Sequence, residues 1–219
     1  MNNNFAFNLG DLTIVPTSLR HAIPYMKACK ESKNYLGDYL DWGVTVSKRP
    51  YKDFYEEINR LIKKNKTFPS FSIFFGERFV GFFEFSQACD NYGAQICYWV
   101  TKPFSGCGIA TEITDILVER AFLGYRFNYI ELHIDEENIA SKRIPEKLGF
   151  SVQDNYQEKM GKKGSGKMQL WVKENPYSRF RTQTVTEKRR VARFGWSQSS
   201  RLQQKNSLSN MGEVAQNNP

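Results

Sequence analysis

The chain has 219 residues, 40% hydrophobic and 15% aromatic, enough to bury one core of ordinary domain size. Its formal charge of +8 is uneven: from position 176 onward eight Lys and Arg accompany two Asp and Glu, so the rest of the chain is close to neutral. No stretch approaches the ~20 apolar residues of a membrane span, and the opening MNNNFAFNLGDL lacks the basic and apolar regions of a signal peptide, so a cytoplasmic protein is expected.

In chain order, residues 12–15 (LTIV) read as a short strand, ended by Pro16 and Thr17. Thr17 or Ser18 can cap a helix running to about Lys30, with Leu19, Ala22, Ile23 and Met26 on its buried side. A second short helix is expected over 31–39. A third follows Pro50, striped by Phe54, Ile58, Leu61 and Ile62. Residues 68–75 and 78–85, joined by Gly76-Glu77, have the spacing of a tight hairpin. A looser turn over 89–93 leads to a strand at 94–100. Apolar residues Ile113, Ile116, Leu117, Ala121 and Phe122 then fall at helical spacing over 111–122. Further elements are a strand at 129–134, a helix at 138–148, and two strands at 151–157 and 168–173, joined by the polar loop 161–167. Cys29, Cys89, Cys97 and Cys107 form no C-x-x-C pair, so reduced thiols and no metal site are expected.

Between the 94–100 strand and the helix after it lies Ser105-Gly106-Cys107-Gly108-Ile109-Ala110, followed by Thr111. A glycine loop opening a helix presents unpaired main-chain N–H groups at the positive end of the helix dipole, an arrangement suited to a phosphate or pyrophosphate. It is not a Walker loop, since Gly108-Ile109-Ala110 stands where Gly-Lys-Ser/Thr would be needed, and it lacks the third glycine of a dinucleotide fingerprint. Cys107 reads better as a small side chain in a crowded loop than as a nucleophile. A second block, Asn138-Ile139-Ala140-Ser141 followed by Glu146-Lys147-Leu148-Gly149-Phe150, comes about thirty residues later.

These two blocks resemble the GNAT superfamily of acyl-CoA N-acyltransferases, and within it the RimJ/RimL-type protein N-acetyltransferases. That family's pyrophosphate loop runs Arg/Gln-x-x-Gly-x-Gly/Ala, and Ser105 departs from its first position. The likeness covers roughly residues 12–173. It implies an α+β, three-layer domain over 1–175: a mixed, mostly antiparallel central sheet of about seven strands flanked by helices. It further implies acetyl-CoA as co-substrate, held by Ser105, Gly106, Cys107, Gly108, Ile109, Ala110 and Thr111, with Lys102 available to offset the missing Arg or Gln. Main-chain groups near Trp99 and Val100, where two strands splay, would receive the thioester carbonyl and the pantetheine arm, with Asn138 binding the arm's amides.

Many superfamily members place a tyrosine seven residues after the asparagine to meet the departing thiolate; here that position is Pro145. The RimJ/RimL-type pattern has serine three residues after it, which makes Ser141 the candidate, although a capping-box serine would look the same. Pro145 should also bend the helix. For the carboxylate that assists the amine, Glu84 in an aromatic strand is the first candidate and Glu158 the second. His21 and His133 carry no partner motif and are set aside.

The resemblance points to a primary amine acceptor, foremost a protein N-terminal α-amino group of ribosomal-protein type, attacked directly in a ternary complex. Polyamines or aminoglycosides stay open, with Asp38, Asp41, Glu56 and Glu57 as a possible acidic cleft. A binding module for acyl-CoA or RNA without turnover is the alternative from another class. Residues 176–219 are basic and polar with little apolar content, the composition of a disordered tail; Arg189, Arg190, Arg193, Phe194 and Trp196 could contact RNA or the ribosome through charge and stacking. Either a monomer or a homodimer is compatible with the sequence.

Overall fold

The computed structural model describes residues 7–64, 68–88 and 92–178, which belong to a single compact unit. Eight strands form one sheet in the order β1-β2-β3-β4-β5-β6-β8-β7. They are β1 (Phe7–Leu9), β2 (Leu12–Pro16), β3 (Ser70–Phe75), β4 (Arg78–Gln87), β5 (Gly93–Val100), β6 (Tyr129–Asp135), β7 (Ser151–Gln157) and β8 (Lys167–Glu174). All neighbours pair antiparallel except β5 and β6. The expected α+β architecture is present, with the three-residue β1 as an addition that its short sequence did not announce.

Two layers of helix cover the sheet. On one face lie α1 (Ala22–Glu31), α2 (Lys33–Leu36), α3 (Asp41–Thr45) and α4 (Tyr51–Lys64). Tyr25, Phe54 and Ile58 from this layer pack on Phe79, Phe82 and Trp99 of the sheet. On the other face α5 (Ile109–Leu123) buries Ile109, Ile113, Leu117, Val118, Ala121 and Phe122 against Ile96, Val100, Ile130 and Leu132. The last helix, α6 (Ile139–Lys147), follows β6 and touches α5. Phe79 and Phe82 share a face despite their odd spacing. The register shifts between Ile73 and Phe74, so that Ile73 pairs with Gly81 and Phe74 with Phe79, leaving Val80 as the extra residue of a bulge.

The first helix differs from its expected stripe. Leu19 and Ile23 are exposed, while His21, Ala22, Tyr25, Ala28 and Cys29 are buried. A short 3-10 turn over Leu19–His21 precedes α1 and rotates its face relative to a helix begun at Thr17. Ser18 N–H donates to His21 Nδ1 at 3.2 Å, and the same nitrogen lies 3.0 Å from Ser72 Oγ, which pins the turn to β3. The predicted third helix is observed, with Phe54, Ile58 and Leu61 buried. The looser turn after β4 falls partly on residues outside those described, as does nearly all of the basic tail.

Candidate active site

Only three residue pairs join β5 to β6: Gly93 with Tyr129, Ala94 with Ile130 and Gln95 with Glu131. Beyond them both strands continue, to Val100 and Asp135, without pairing. The sheet therefore opens into a wedge starting at Ile96 and Leu132. On the β4 side the ladder stays intact to Gly81 and Val100, and Thr101 N–H bonds the Val80 carbonyl at 2.8 Å. Because amide direction alternates along a strand, the Cys97 and Trp99 N–H groups also turn to β4, while those of Ile96, Tyr98 and Val100 point into the wedge. Of the two residues expected at the splay, Val100 thus offers its amide, and Trp99 supplies side-chain packing against Tyr25, Trp42 and Phe79.

The glycine loop stands at the wide end of the wedge. Lys102–Phe104 make a 3-10 turn, Gly106 and Gly108 have φ of 80° and 84°, and Gly108 is the N-cap of α5. A Cβ on either glycine would meet nothing within 4 Å. The two glycines are therefore required by backbone conformation and not by crowding, and Cys107 between them is exposed, so the loop is open where the sequence suggested it was crowded. The first amides of α5, on Ile109, Ala110 and Thr111, precede the first intrahelical bond, Glu112 N–H to Gly108 carbonyl. These donors and the half-helix dipole behind them suit a diphosphate. Ser105 Oγ lies 2.8 Å from Tyr35 Oη, and Lys102 Nζ sits 4.9 Å from the centre of the Tyr35 ring. The loop position without Arg or Gln is thus tied to α2.

The other wall is the start of α6. Asn138 is the N-cap, and its Oδ1 accepts the Ser141 N–H at 3.2 Å. The cap is therefore the asparagine and not the serine, and the Ser141 hydroxyl has no capping duty. Across the wedge the Tyr98 ring stacks on Phe83 at 5.2 Å. Its hydroxyl is buried, and burial pushes the phenol well above its usual range, with the neighbouring Ser141 side chain acting in the opposite direction. Pro145 lies inside α6, so the Ser141 carbonyl loses its usual i+4 partner. The helix ends at Gly149, φ 72°, with Phe150 N–H bonded to the Pro145 carbonyl at 2.9 Å, a Schellman closure.

Residues 11–151 match the family described as acetyltransferase (GNAT) domain. The chain belongs to that family. The structural relatives of this GNAT domain include a RimL ribosomal L7/L12 α-N-protein acetyltransferase in complex with coenzyme A, at TM-score 0.70 and 16% identity over 77% of this chain and 97% of that one. A ribosomal-protein-S5-alanine acetyltransferase from Vibrio fischeri gives TM-score 0.70 at 13% identity, covering 80% and 98%. The microcin C7 self-immunity acetyltransferase MccE, in complex with acetyl-CoA and AMP, gives 0.68 at 18% identity, covering 76% and 93%. At these identities the likeness is one of fold. A sequence comparison with curated proteins returns no match.

Glu84 is half-buried on the face of Phe82, the face covered by α1 and α4. Burial, then the neighbouring Glu57, raises its pKa. Glu158 is exposed just beyond β7, its N–H bonded to the Gly166 carbonyl. The four acids expected to form an acidic cleft all have partners within the chain. Asp38 pairs with Lys163 at 2.9 Å, Asp41 Oδ1 accepts Gly161 N–H at 2.6 Å, and Glu57 accepts from Arg49 at 2.6 Å and Tyr25 Oη at 2.9 Å. Glu56 makes an exposed i,i+4 pair with Lys52. The Asp38 and Asp41 contacts fasten the β7–β8 loop over the α2–α3 connection, with Lys162 and Lys163 N–H bonded to the Gly37 and Asp38 carbonyls.

His133, which carries no partner motif in the sequence, has partners in the fold. His133 is bonded at both ring nitrogens, to Glu131 and Tyr156. The Glu-x-His spacing on a strand, which places both side chains on one face, was the available signal. Tyr35 and Tyr98 were likewise not singled out, because nothing in the sequence ties them to Ser105 or Ser141. Among the described residues no group of three or more His, Cys, Asp or Glu could hold a metal ion, and no helix is long and apolar enough to cross a membrane.

Proposed function

We propose that the chain transfers the acetyl group of acetyl-CoA to a protein N-terminal α-amino group by direct attack within a ternary complex. The observation that carries this reading is the wedge between β5 and β6, which opens directly onto the α5 amides. In this reading the diphosphate rests on Gly106, Cys107, Gly108, Ile109, Ala110 and Thr111, with Ser105 and Lys102 at its edge. The pantetheine arm enters the wedge as an extra strand would, against Asn138 and the free amides of Tyr98 and Val100. The thioester carbonyl meets those amides, which stabilise the tetrahedral oxyanion. The Ser141 hydroxyl stands ready to donate to the departing sulfur. Glu84 and Glu158 are the carboxylates we assign to the neighbourhood of the incoming amine.

Support for a protein acceptor comes from relatives named as ribosomal-protein acetyltransferases, and from the acids of the α2–α3 region being occupied by internal partners, which removes the cleft a polyamine would need. We assign the catalytic domain to residues 1–175 and a separate role to the basic 176–219 tail, whose RNA-contact residues lie outside those described. The test is CoA thiol release from acetyl-CoA over peptides beginning with Ser, Ala or Met, with spermidine as the comparison amine. Transfer to peptides and not to spermidine is expected; spermidine as the better acceptor overturns the assignment. Salt-dependent retention on RNA that persists after deletion of 176–219 would exclude the tail as an RNA contact.

A further inference from the structure

His133 stands on β6 two residues past the last pair with β5, at the edge of the wedge. Ile130, Leu132 and Ile134 point into the α5 core, so Glu131, His133 and Asp135 occupy the opposite, acceptor-side face. His133 Nε2 lies 3.2 Å from Glu131 Oε2, and Nδ1 lies 2.7 Å from Tyr156 Oη. Tyr156 belongs to β7, and β8 runs between β7 and β6, so its side chain crosses β8 to bring the hydroxyl to His133. The two rings meet edge-on at 5.7 Å. Glu131 is 1% exposed. A carboxylate can only accept, which places the imidazole proton on Nε2 and leaves the Nδ1 lone pair to receive the Tyr156 O–H.

We propose that Tyr156, His133 and Glu131 form the relay that removes the proton from the acceptor amine; this rests on the acetyl-transfer reading above. The neutral amine nitrogen bonds the acetyl carbonyl carbon. Its N–H proton passes to Tyr156 Oη as the Tyr156 proton passes to His133 Nδ1, and the imidazolium so formed is held by the Glu131 carboxylate. The C–S bond then breaks with its electron pair leaving on sulfur, and the thiolate takes a proton from Ser141, which regains one from solvent as the imidazolium gives its proton up to solvent and the relay resets. Tyr156 is the group that touches the amine; His133 and Glu131 act through it. Among the described residues, the charged or titratable groups on this face around His133 include Asp135 on its own strand, with Tyr39 beside it, Asp154 in the same cross-strand row of β7 and Cys97 at the matching position of β5, while β8 contributes the apolar Leu170.

The experiment measures kcat/KM for peptides beginning with Ser and Ala between pH 6 and 9, in the full chain and in its His133→Gln and Tyr156→Phe variants. CoA affinity is followed by calorimetry. At pH 7 each variant is expected to lose about 100-fold, with CoA affinity held within about twofold. The deficit should shrink about tenfold by pH 9, where hydroxide can take the proton from the adduct nitrogen unaided. A merely structural role would lower the rate equally at every pH, and that result overturns the relay, as does transfer within about threefold of the parent chain at pH 7. Should His133→Gln fail to fold, Tyr156→Phe carries the test, since it removes only a hydroxyl. A parent chain that binds CoA but acetylates no peptide would overturn the underlying reading, and the relay with it.

Discussion

Gly108 illustrates how a single backbone angle can decide ligand binding. Its φ of 84° is in the left-handed region, where a side chain costs about 1–2 kcal/mol. Gly108→Ala should lower unfolding free energy by that amount in urea titrations and weaken CoA binding in calorimetry, since relaxing the angle redirects the first amides of α5. His21 makes a different kind of prediction. Burial, helped by Arg20, lowers its pKa from 6.5 to about 4 in the folded chain. The unfolded chain therefore takes up the proton first. The stability associated with neutral His21 is complete above pH 6.5 and declines as pH falls toward 4, by about 3 kcal/mol at the limit. Urea midpoints at pH 7, 6 and 5 should fall more steeply for the parent chain than for His21→Asn. Neither histidine was informative as a letter in the sequence. What each does depends on which strand it meets: Ser72 for His21, Tyr156 for His133.

At the scale of elements, α6 allows capping by Asn138 to be tested apart from the role proposed for Ser141. Asn138→Ala removes the side-chain acceptor for the Ser141 N–H and should cost about 1 kcal/mol of stability. Ser141→Ala leaves that cap in place. It should keep the urea midpoint nearly unchanged while slowing acetyl transfer by about 10- to 100-fold, with the KM for acetyl-CoA little altered. Equal loss of stability in both variants would return Ser141 to a structural part. The sequence reading of this element was right in extent and incomplete in roles, because a serine three residues after an asparagine looks the same whichever of them caps. Similarly, the strand at 78–85 was legible from its aromatic run. Its facing was not, since the bulge at Val80 breaks the alternation that would have set Phe79 and Phe82 on opposite sides. Helix α1 was misfaced for the same kind of reason, a one-turn 3-10 start that propensity does not mark.

For the molecule as a whole, the order of elements and the two glycine- and asparagine-bearing blocks were readable because they rest on local rules: period, caps and turns. The contacts that join the helical layer and β7–β8 to the rest were not, because they are made by pairs distant in the chain, among them Asp41 with Gly161, Tyr35 with Ser105 and Tyr156 with His133. The short span from Tyr35 to Asp41 has a property that neither end has alone. One end is bonded to the glycine loop and the other is fastened beneath the β7–β8 loop. If occupancy of the nucleotide end firms that span, the acceptor end must feel it, and by thermodynamic reciprocity the favour is returned in equal measure. Tyr35→Phe, which cuts the link at Ser105 and nothing else of its packing, should then erase the coupling: hydrogen exchange at residues 158–166 would slow on CoA addition in the parent chain and stay level in the variant. A single phenolic oxygen would thus set whether donor and acceptor bind as strangers or as a pair.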